Sequence, residues 1–324
     1  MGNILENEKQ DQIMKKFTFC QNISHRQLGN IKILEYKENK RIKVFQIQLG
    51  TTSKQELDDY QKRFEKRKQW KHGNLVNLLH VNENSNSLMC AEVSQAIVIG
   101  EYYQMTLNSE AEQNFTQSFM FNESRLWLIT YQIISVCAFL EEKGAYHGEL
   151  KTQTIYLDDS ENIKLIEHDF LPNHPDAYNK AFILDEFHLL PPEQLEELRQ
   201  SIPSSKKSGV KGDVFTLGLI LLELAAQQSS SAYYNWQKKQ IDLVQVRRMC
   251  DMLLGLGYST IFSKLILQMI SDYDTRPTFI VIRDGLQNLE NDILNGNQFY
   301  INHIKQDRII EDNKKQFQTF GQKM

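Results

Sequence analysis

No stretch of this chain is apolar for long enough to cross a bilayer. The longest, Leu217 to Ala226, contains Glu223 and falls far short of the roughly 20 residues a spanning helix needs. An apolar signal core is missing at the N-terminus. Met1-Gly2-Asn3 invites an N-myristoyl reading, but the motif wants Ser or Thr at the sixth position and Glu6 stands there; a mobile polar leader is the plainer expectation. Cysteine is scarce and scattered. The four, Cys20, Cys90, Cys137 and Cys250, make no C-x-x-C, and no His pair has zinc spacing. That excludes a disulfide framework and a zinc ribbon, and leaves reduced, mostly buried thiols in a cytosolic protein. An excess of one charge is also lacking. Lys and Arg number 37 against 41 Asp and Glu, a net charge of −4. Such a chain is no general polyanion binder, so nucleic acid is excluded as a partner. With 41% apolar and 24% charged residues, disorder is excluded as a whole-chain description. The 324 residues leave room for two domains or one two-lobed domain.

What is present falls into four parts. Residues 1–24 are polar and read as a loose leader. From Ile31 apolar residues alternate with polar ones; Tyr36-Lys37-Glu38-Asn39-Lys40 interrupts, and Val44-Phe45-Gln46-Ile47-Gln48-Leu49 resumes. The pattern predicts strands joined by a polar turn. Residues 54–71 carry Leu57, Tyr60 and Phe64 at helical spacing. Two short apolar runs, Leu75–Val81 and Ala96–Tyr103, flank the turn-rich Asn82-Glu83-Asn84-Ser85-Asn86. Residues 25–103 therefore read as a small sheet with one long helix inserted.

Residues 104–295 read as mostly helical. Leu126, Ile129, Ile133, Val136 and Leu140 recur on one face, with Asn122 or Ser124 as the cap and Gly144 just past the end. Asp213–Ala226 is apolar nearly all round, the mark of a helix buried at the centre of a domain. Ile261–Ile270 and Phe279–Leu294 are further helices, and Ser204–Gly209 and Gln227–Ser231 are polar loops. Residues 296–324 form a charged tail carrying Phe299, Ile301, Ile304, Ile309 and Ile310.

Six short elements then share one pattern. Tyr146-His147-Gly148-Glu149-Leu150-Lys151-Thr152-Gln153-Thr154-Ile155 resembles the catalytic loop of the eukaryotic protein kinases, H-R-D-L-K-P-x-N. Lys164-Leu165-Ile166-Glu167-His168-Asp169 stands where that family has K-L-x-D-F-G. Leu190-Pro191-Pro192-Glu193 resembles the A-P-E end of its activation segment. Lys211-Gly212-Asp213-Val214-Phe215-Thr216-Leu217-Gly218 resembles the start of its buried central helix, and Asp274-Thr275-Arg276-Pro277-Thr278 its late D-x-x-R-P-T element. His72-Gly73-Asn74-Leu75-Val76 resembles the H-P-N-I-V turn after its regulatory helix. The resemblance covers about residues 25–295. It implies an α+β, two-lobed protein kinase-like fold, with a small antiparallel sheet lobe and a mainly helical lobe.

The same resemblance separates what is kept from what is lost. It implies structural roles for His147, for Asp213 as anchor of the catalytic-loop backbone, and for Glu193 and Arg276 as a buried ion pair. Breaking one half of such a pair costs about 3–5 kcal/mol, so their presence argues for folding and not for catalysis. Phosphoryl transfer needs more: a glycine loop, a strand Lys held by a helix Glu, a base, an Asn and a metal-binding Asp. Here the Lys position is Gln48 and the helix Glu position Arg63, with Glu65 two residues away. Of the glycine motif only Gly29 is found near Arg26–Ile31. The base position is Glu149 and the metal position Glu167. Each keeps a carboxylate but adds a methylene, a displacement of about 1 Å that can cost around 100-fold in rate. The Asn position is Thr154, a weaker ligand for magnesium, which wants octahedral oxygen ligation.

Adenine recognition is altered as well. The small Ala above the ring is Gln46, and the Leu below it is Tyr156. A register shift of one or two residues in the first lobe would move the Gln46 and Gln48 assignments; Tyr156 lies close to its anchor. The activation switch lacks both halves. The Arg that would grip a phosphate is Gly148, and between Glu167 and Glu193 no Ser or Thr occurs, only Tyr178. Phe170, Phe182, Ile183, Leu184 and Phe187 would hold that segment by packing. Two surface features stand apart: a basic helix with Lys62, Arg63, Lys66, Arg67, Lys68 and Lys71, and a loop with Ser201, Ser204, Ser205, Lys206, Lys207 and Ser208. The expectation is a pseudokinase, a scaffold, structural component or allosteric regulator working through protein partners, with no cofactor and no metal. Its rivals are a divergent active Ser/Thr kinase using ATP and Mg²⁺, and a nucleotide-binding inactive module.

Overall fold

The computed structural model describes residues 15–25, 28–51, 54–88, 91–167, 189–200 and 209–293. The start at Met1-Gly2-Asn3, Cys90, the segment 168–188 with Tyr178 and its apolar anchors, the Ser- and Lys-bearing loop 201–208 and the tail 296–324 lie outside the described residues. The described chain divides into two compact units, one ending at Gln104 and the other beginning at Met105.

The first unit is an antiparallel sheet with one helix. Strands β1 (Phe17–His25), β2 (Gly29–Tyr36), β3 (Lys43–Thr51), β4 (Leu78–Leu88) and β5 (Ala91–Glu101) lie in the order β1-β2-β3-β5-β4. Helix α1 (Lys54–Lys68) connects β3 to β4 in sequence. Two elements differ from expectation. Strand β1 begins at Phe17, inside the stretch read as a polar leader. Its apolar content is slight, but Phe17 is buried with Leu34, Val44, Ile97 and Ile99, and pairing to β2 supplies the rest. The turn-rich Asn82–Asn86 run is strand, not turn, because β4 pairs with β5 through to Leu88 opposite Ala91. Ladder hydrogen bonds there outweigh the weak β-propensity of Asn and Ser.

The two faces of β3 explain its core residues. Val44 faces Leu34 and Ile99 in one cluster, while Phe45 and Ile47 point to the opposite face. Phe45 lies opposite Gly100. A Cβ on Gly100 would sit 2.5 Å from the Phe45 ring, so the ring occupies space that only a glycine leaves. Helix α1 buries Tyr60, Phe64 and Arg67, which recur every three or four residues along one side.

The second unit carries a three-stranded sheet, β6 (Met105–Thr106), β7 (Ile155–Leu157) and β8 (Ile163–Leu165), and a two-stranded one, β9 (Tyr234–Asn235) and β10 (Gln240–Ile241). Its helices are α2 (Leu107–Thr116), α3 (Glu123–Glu142), α4 (Pro192–Arg199), α5 (Gly209–Ala226), α6 (Leu243–Met252), α7 (Thr260–Met269) and α8 (Phe279–Ile293). Asn122 caps α3: its side chain accepts from the Arg125 N–H at 2.7 Å. Helix α5 is buried on all sides, from Val214 to Leu222. Short α4, α6 and α2 had no strong periodic signal. The Gln227–Ser231 stretch is not all loop, for a single 3-10 turn covers Ser230–Tyr233. Cys137 and Cys250 are buried and Cys20 is exposed on β1, each as a free thiol. Among the described residues no helix is long and apolar enough to cross a membrane.

Candidate functional site

The residues that the resemblance singles out fall in both units. In the first, Gln46 and Gln48 stand on the same side of β3 as Val44, because alternate residues share a face. Gln46 is half-buried and lies opposite Ile99; Gln48 is exposed and lies opposite Ile97. Arg63 sits on the exposed side of α1, its guanidinium 6.0 Å from the Tyr60 ring, and Glu65 is exposed too. The cation that α1 turns inward is Arg67. It donates to the Val76 carbonyl at 2.8 Å and lies over the Trp70 ring at 5.6 Å. Arg67 was read only as part of a basic face. The signal was its spacing, seven residues after Tyr60 and three after Phe64, which puts it on the apolar side.

The end of β5 carries a buried carboxylate that sequence reading passed over. Glu101 accepts from the Asn77 N–H and side-chain amide, both at 3.0 Å, and from the Tyr103 hydroxyl at 3.0 Å. Asn77 lies 24 residues away and no local pattern announces it; Tyr103 is only two residues on. At the β1–β2 turn, His25 Nδ1 accepts from the Leu28 N–H at 3.1 Å, and its ring meets Tyr102 edge-on at 6.4 Å. Burial pushes the His25 imidazole down to about 4, since the charged form loses its hydration there.

In the second unit Asp213, near the start of α5, accepts from the backbone N–H of His147 at 2.7 Å and of Gly148 at 3.0 Å. Gly148 has φ +81°, a left-handed conformation that a glycine adopts without strain. His147 is buried, and its Nδ1 accepts from the Glu149 N–H at 3.2 Å. The backbone bonds tie the loop to the central helix, and the ring bond braces the loop on itself.

The acidic side chain of this loop faces a cation. Glu149 Oε1 lies 3.8 Å from Lys151 Nζ, both side chains mostly shielded. Thr154 is fully buried. Its hydroxyl donates to the Glu149 carbonyl and accepts from the Lys151 N–H at 3.0 Å. A hydroxyl has one proton, and this one is committed inside the loop. Thr154 therefore acts as a staple of backbone geometry. Tyr156 is buried on β7, opposite Thr106 of β6 and Lys164 of β8. Glu167, just past β8, is buried. Among the described residues no three His, Cys, Asp or Glu side chains gather as a metal site. A magnesium–triphosphate group, which the family resemblance implies, thus finds Glu167 as a shielded carboxylate, Glu149 engaged by Lys151, and Thr154 turned into its own loop. That donor set does not fit the group.

The second unit also holds the ion pair in a fork. Arg276 Nη1 lies 2.5 Å from Glu193 Oε1, and Nη2 3.3 Å from Oε2. The remaining N–H groups donate to the Ser271 carbonyl, twice, and to the Lys211 carbonyl at 3.0 Å. The guanidinium lies over the Phe215 ring at 4.7 Å, a cation–π contact.

Comparison with known proteins adds the following. The family model described as protein kinase domain matches residues 10–283. A TBC domain-containing protein kinase-like protein of Dictyostelium discoideum is 28% identical over 187 residues, covering 55% of this chain and 16% of that protein. The serine/threonine-protein kinase VHS1 of Saccharomyces cerevisiae is 26% identical over 196 residues, 53% of this chain and 41% of that protein. The serine/threonine-protein kinase CLA4 of Candida albicans is 25% identical over 199 residues, 60% of this chain and 18% of that protein. The matched region is thus less than half of each of these relatives.

Proposed function

The chain belongs to the protein kinase family, and from that premise we propose that it is a catalytically impaired member, a pseudokinase, acting through protein–protein contacts as a scaffold, structural component or allosteric regulator. The observation that carries this reading is Thr154. At the position where the family's Asn holds a metal ion, this chain has a buried hydroxyl bonded to the Glu149 carbonyl and the Lys151 N–H. Gln48 adds to it, since a neutral amide at the strand Lys position brings no cation to the phosphates. Arg63 and Glu65 on the exposed side of α1 supply no carboxylate partner for that position. The framework residues Asp213, Glu193 and Arg276 serve the fold. Cysteines scattered along the chain, three of them free thiols among the described residues, support a cytoplasmic setting.

A thermal-shift titration with ATP, with and without Mg²⁺, together with a phosphate-transfer assay, tests the proposal. The expected result is no shift and no transfer. A site filled at 100-fold over Kd adds about 2.7 kcal/mol, so a bound nucleotide would be plain to see. The retained carboxylates of Glu149 and Glu167 favour a second reading, a divergent active Ser/Thr kinase with ATP and Mg²⁺; it requires transfer that Glu149→Ala abolishes. A shift without turnover would instead mark an inactive nucleotide-binding module.

A further inference from the structure

Strand β3 has two faces, and only one of them can present a side chain to α1. Phe45 lies opposite Ile33 of β2 and Gly100 of β5, and Ile47 lies opposite Val98. Residues paired across a ladder share a face, and so does Ile31, two residues before Ile33. On that face Ile31, Ile33, Phe45, Ile47 and Val98 are each at most 2% exposed. The other face carries Phe17, Leu34, Val44, Ile97 and Ile99, a cluster that holds no described residue of α1. Helix α1 packs on β3, β4 and β5 and buries Tyr60, Phe64 and Arg67, so it covers the Phe45 face. The chain after α1 lies there too: the Asn77 carbonyl is 3.2 Å from the Cβ position of Gly100.

That placement bears on the register that the sequence leaves open. The family's strand Lys is held by a Glu of the helix, so its position belongs on the face that α1 covers. Gln48 stands on the other face, opposite Ile97. One residue earlier is Ile47, which like Gln48 brings no cation to a phosphate. On α1 the inward neighbour of Arg63 is Phe64, fully buried and without a carboxylate. The shift moves the position that covers adenine from Gln46 to Phe45, two residues before Ile47. There the family's methyl group is replaced by a whole ring. The Phe45 ring reaches across to β5, where a Cβ on Gly100 would lie 2.5 Å from its tip. We propose that Phe45 is a built-in plug: its ring takes the room that the strand leaves for adenine in the family, and the first unit is closed to nucleotide by its own side chain. The proposal rests on the pseudokinase reading and gives it a cause in packing, separate from the lost phosphate and metal groups.

Thermal unfolding of the full chain tests this, with adenosine and, separately, indole as probes. Adenosine needs the ring's room and no phosphate site. The proteins are the native chain, Phe45→Ala and Gln46→Ala. The expected outcome is that adenosine leaves the native chain and Gln46→Ala unmoved. It should raise the melting point of Phe45→Ala by about 3–6 °C when present at about tenfold over its Kd. If Phe45→Ala does not fold, Phe45→Val takes its place. A folded variant that answers neither probe overturns the proposal. So does an answer to indole alone, because the hole is then an ordinary apolar core cavity. An answer to adenosine in Gln46→Ala also overturns it, since the register is then unshifted. A shift of the native chain with ATP is a different failure: it sinks the pseudokinase reading itself, and the plug with it.

Discussion

Replacing Arg276 by Lys keeps the charge and removes the fork. In the structure the five guanidinium N–H groups make five hydrogen bonds to four acceptors: two Glu193 oxygens, the Ser271 carbonyl twice and the Lys211 carbonyl. A lysine ammonium has three donors from one point. At least two bonds are lost, and the planar stack on Phe215 goes with them. Hydrogen bonds to a charged group contribute about 1.5–3 kcal/mol each, so Arg276→Lys should cost about 3–5 kcal/mol, with some relief where Glu193 meets solvent. Arg276→Met strands the Glu193 carboxylate and should cost at least as much, about 3–5 kcal/mol or more. The double variant Glu193→Leu with Arg276→Met should cost less than its two halves added, because the stranded charge is gone. The assay is urea unfolding of the full chain followed by tryptophan fluorescence. Trp127 packs in the second unit's core and reports its loss. At about 2–4 °C per kcal/mol, the melting point for Arg276→Lys falls by roughly 6–20 °C. A loss under about 1 kcal/mol for Arg276→Lys would refute the claim that the fork, and not merely the charge, holds α4 to the chain after α7.

Other outcomes follow from single contacts. The His25 imidazole stays neutral in the folded chain down to about pH 4, whereas in the unfolded chain it takes a proton from about pH 6.5 downward. Stability is therefore full above that value and is lost as pH falls through the interval to about 4, by about 3 kcal/mol in all; urea midpoints across this range should flatten in His25→Gln, and an equal slope in that variant would remove His25 as the cause. Gly100→Ala puts a methyl group 2.5 Å from the Phe45 ring and should cost about 1–3 kcal/mol by overpacking, read as a drop in melting temperature that Phe45→Leu partly restores.

Much of the second unit was legible because its signals are local. The α3 stripe from Leu126 to Leu140, the Asn122 cap and the all-apolar α5 each report a periodicity that the backbone itself imposes. The motif residues were legible by type and spacing, Asp213 beside the loop at His147 and Glu193 before Arg276. In the first unit the local signals were weaker. Strand β1 holds on through one buried ring and the ladder to β2, and neither leaves a pattern in Thr18–Ser24. The Asn- and Ser-rich half of β4 looks like a turn until its partner strand is present. The bonds from Asn77 to Glu101 join residues that the sequence separates by 24 positions, whereas the inward turn of Arg67 was marked only by its helical spacing from Tyr60 and Phe64.

Residue order alone determined the α+β class, the helix stripes and the chemical groups available at the positions the resemblance singles out, an amide at Gln48 and a hydroxyl at Thr154 among them. It could do so because helix period and motif spacing are short-range properties. Only the tertiary structure decided what those groups touch: that the Thr154 proton is used within its own loop, that Arg63 faces outward while Arg67 faces in, and that Asn77 closes on Glu101. Some of those contacts are short-range and some join segments 24 residues apart, but in each case burial and hydrogen-bond partners are settled by packing and not by residue type alone.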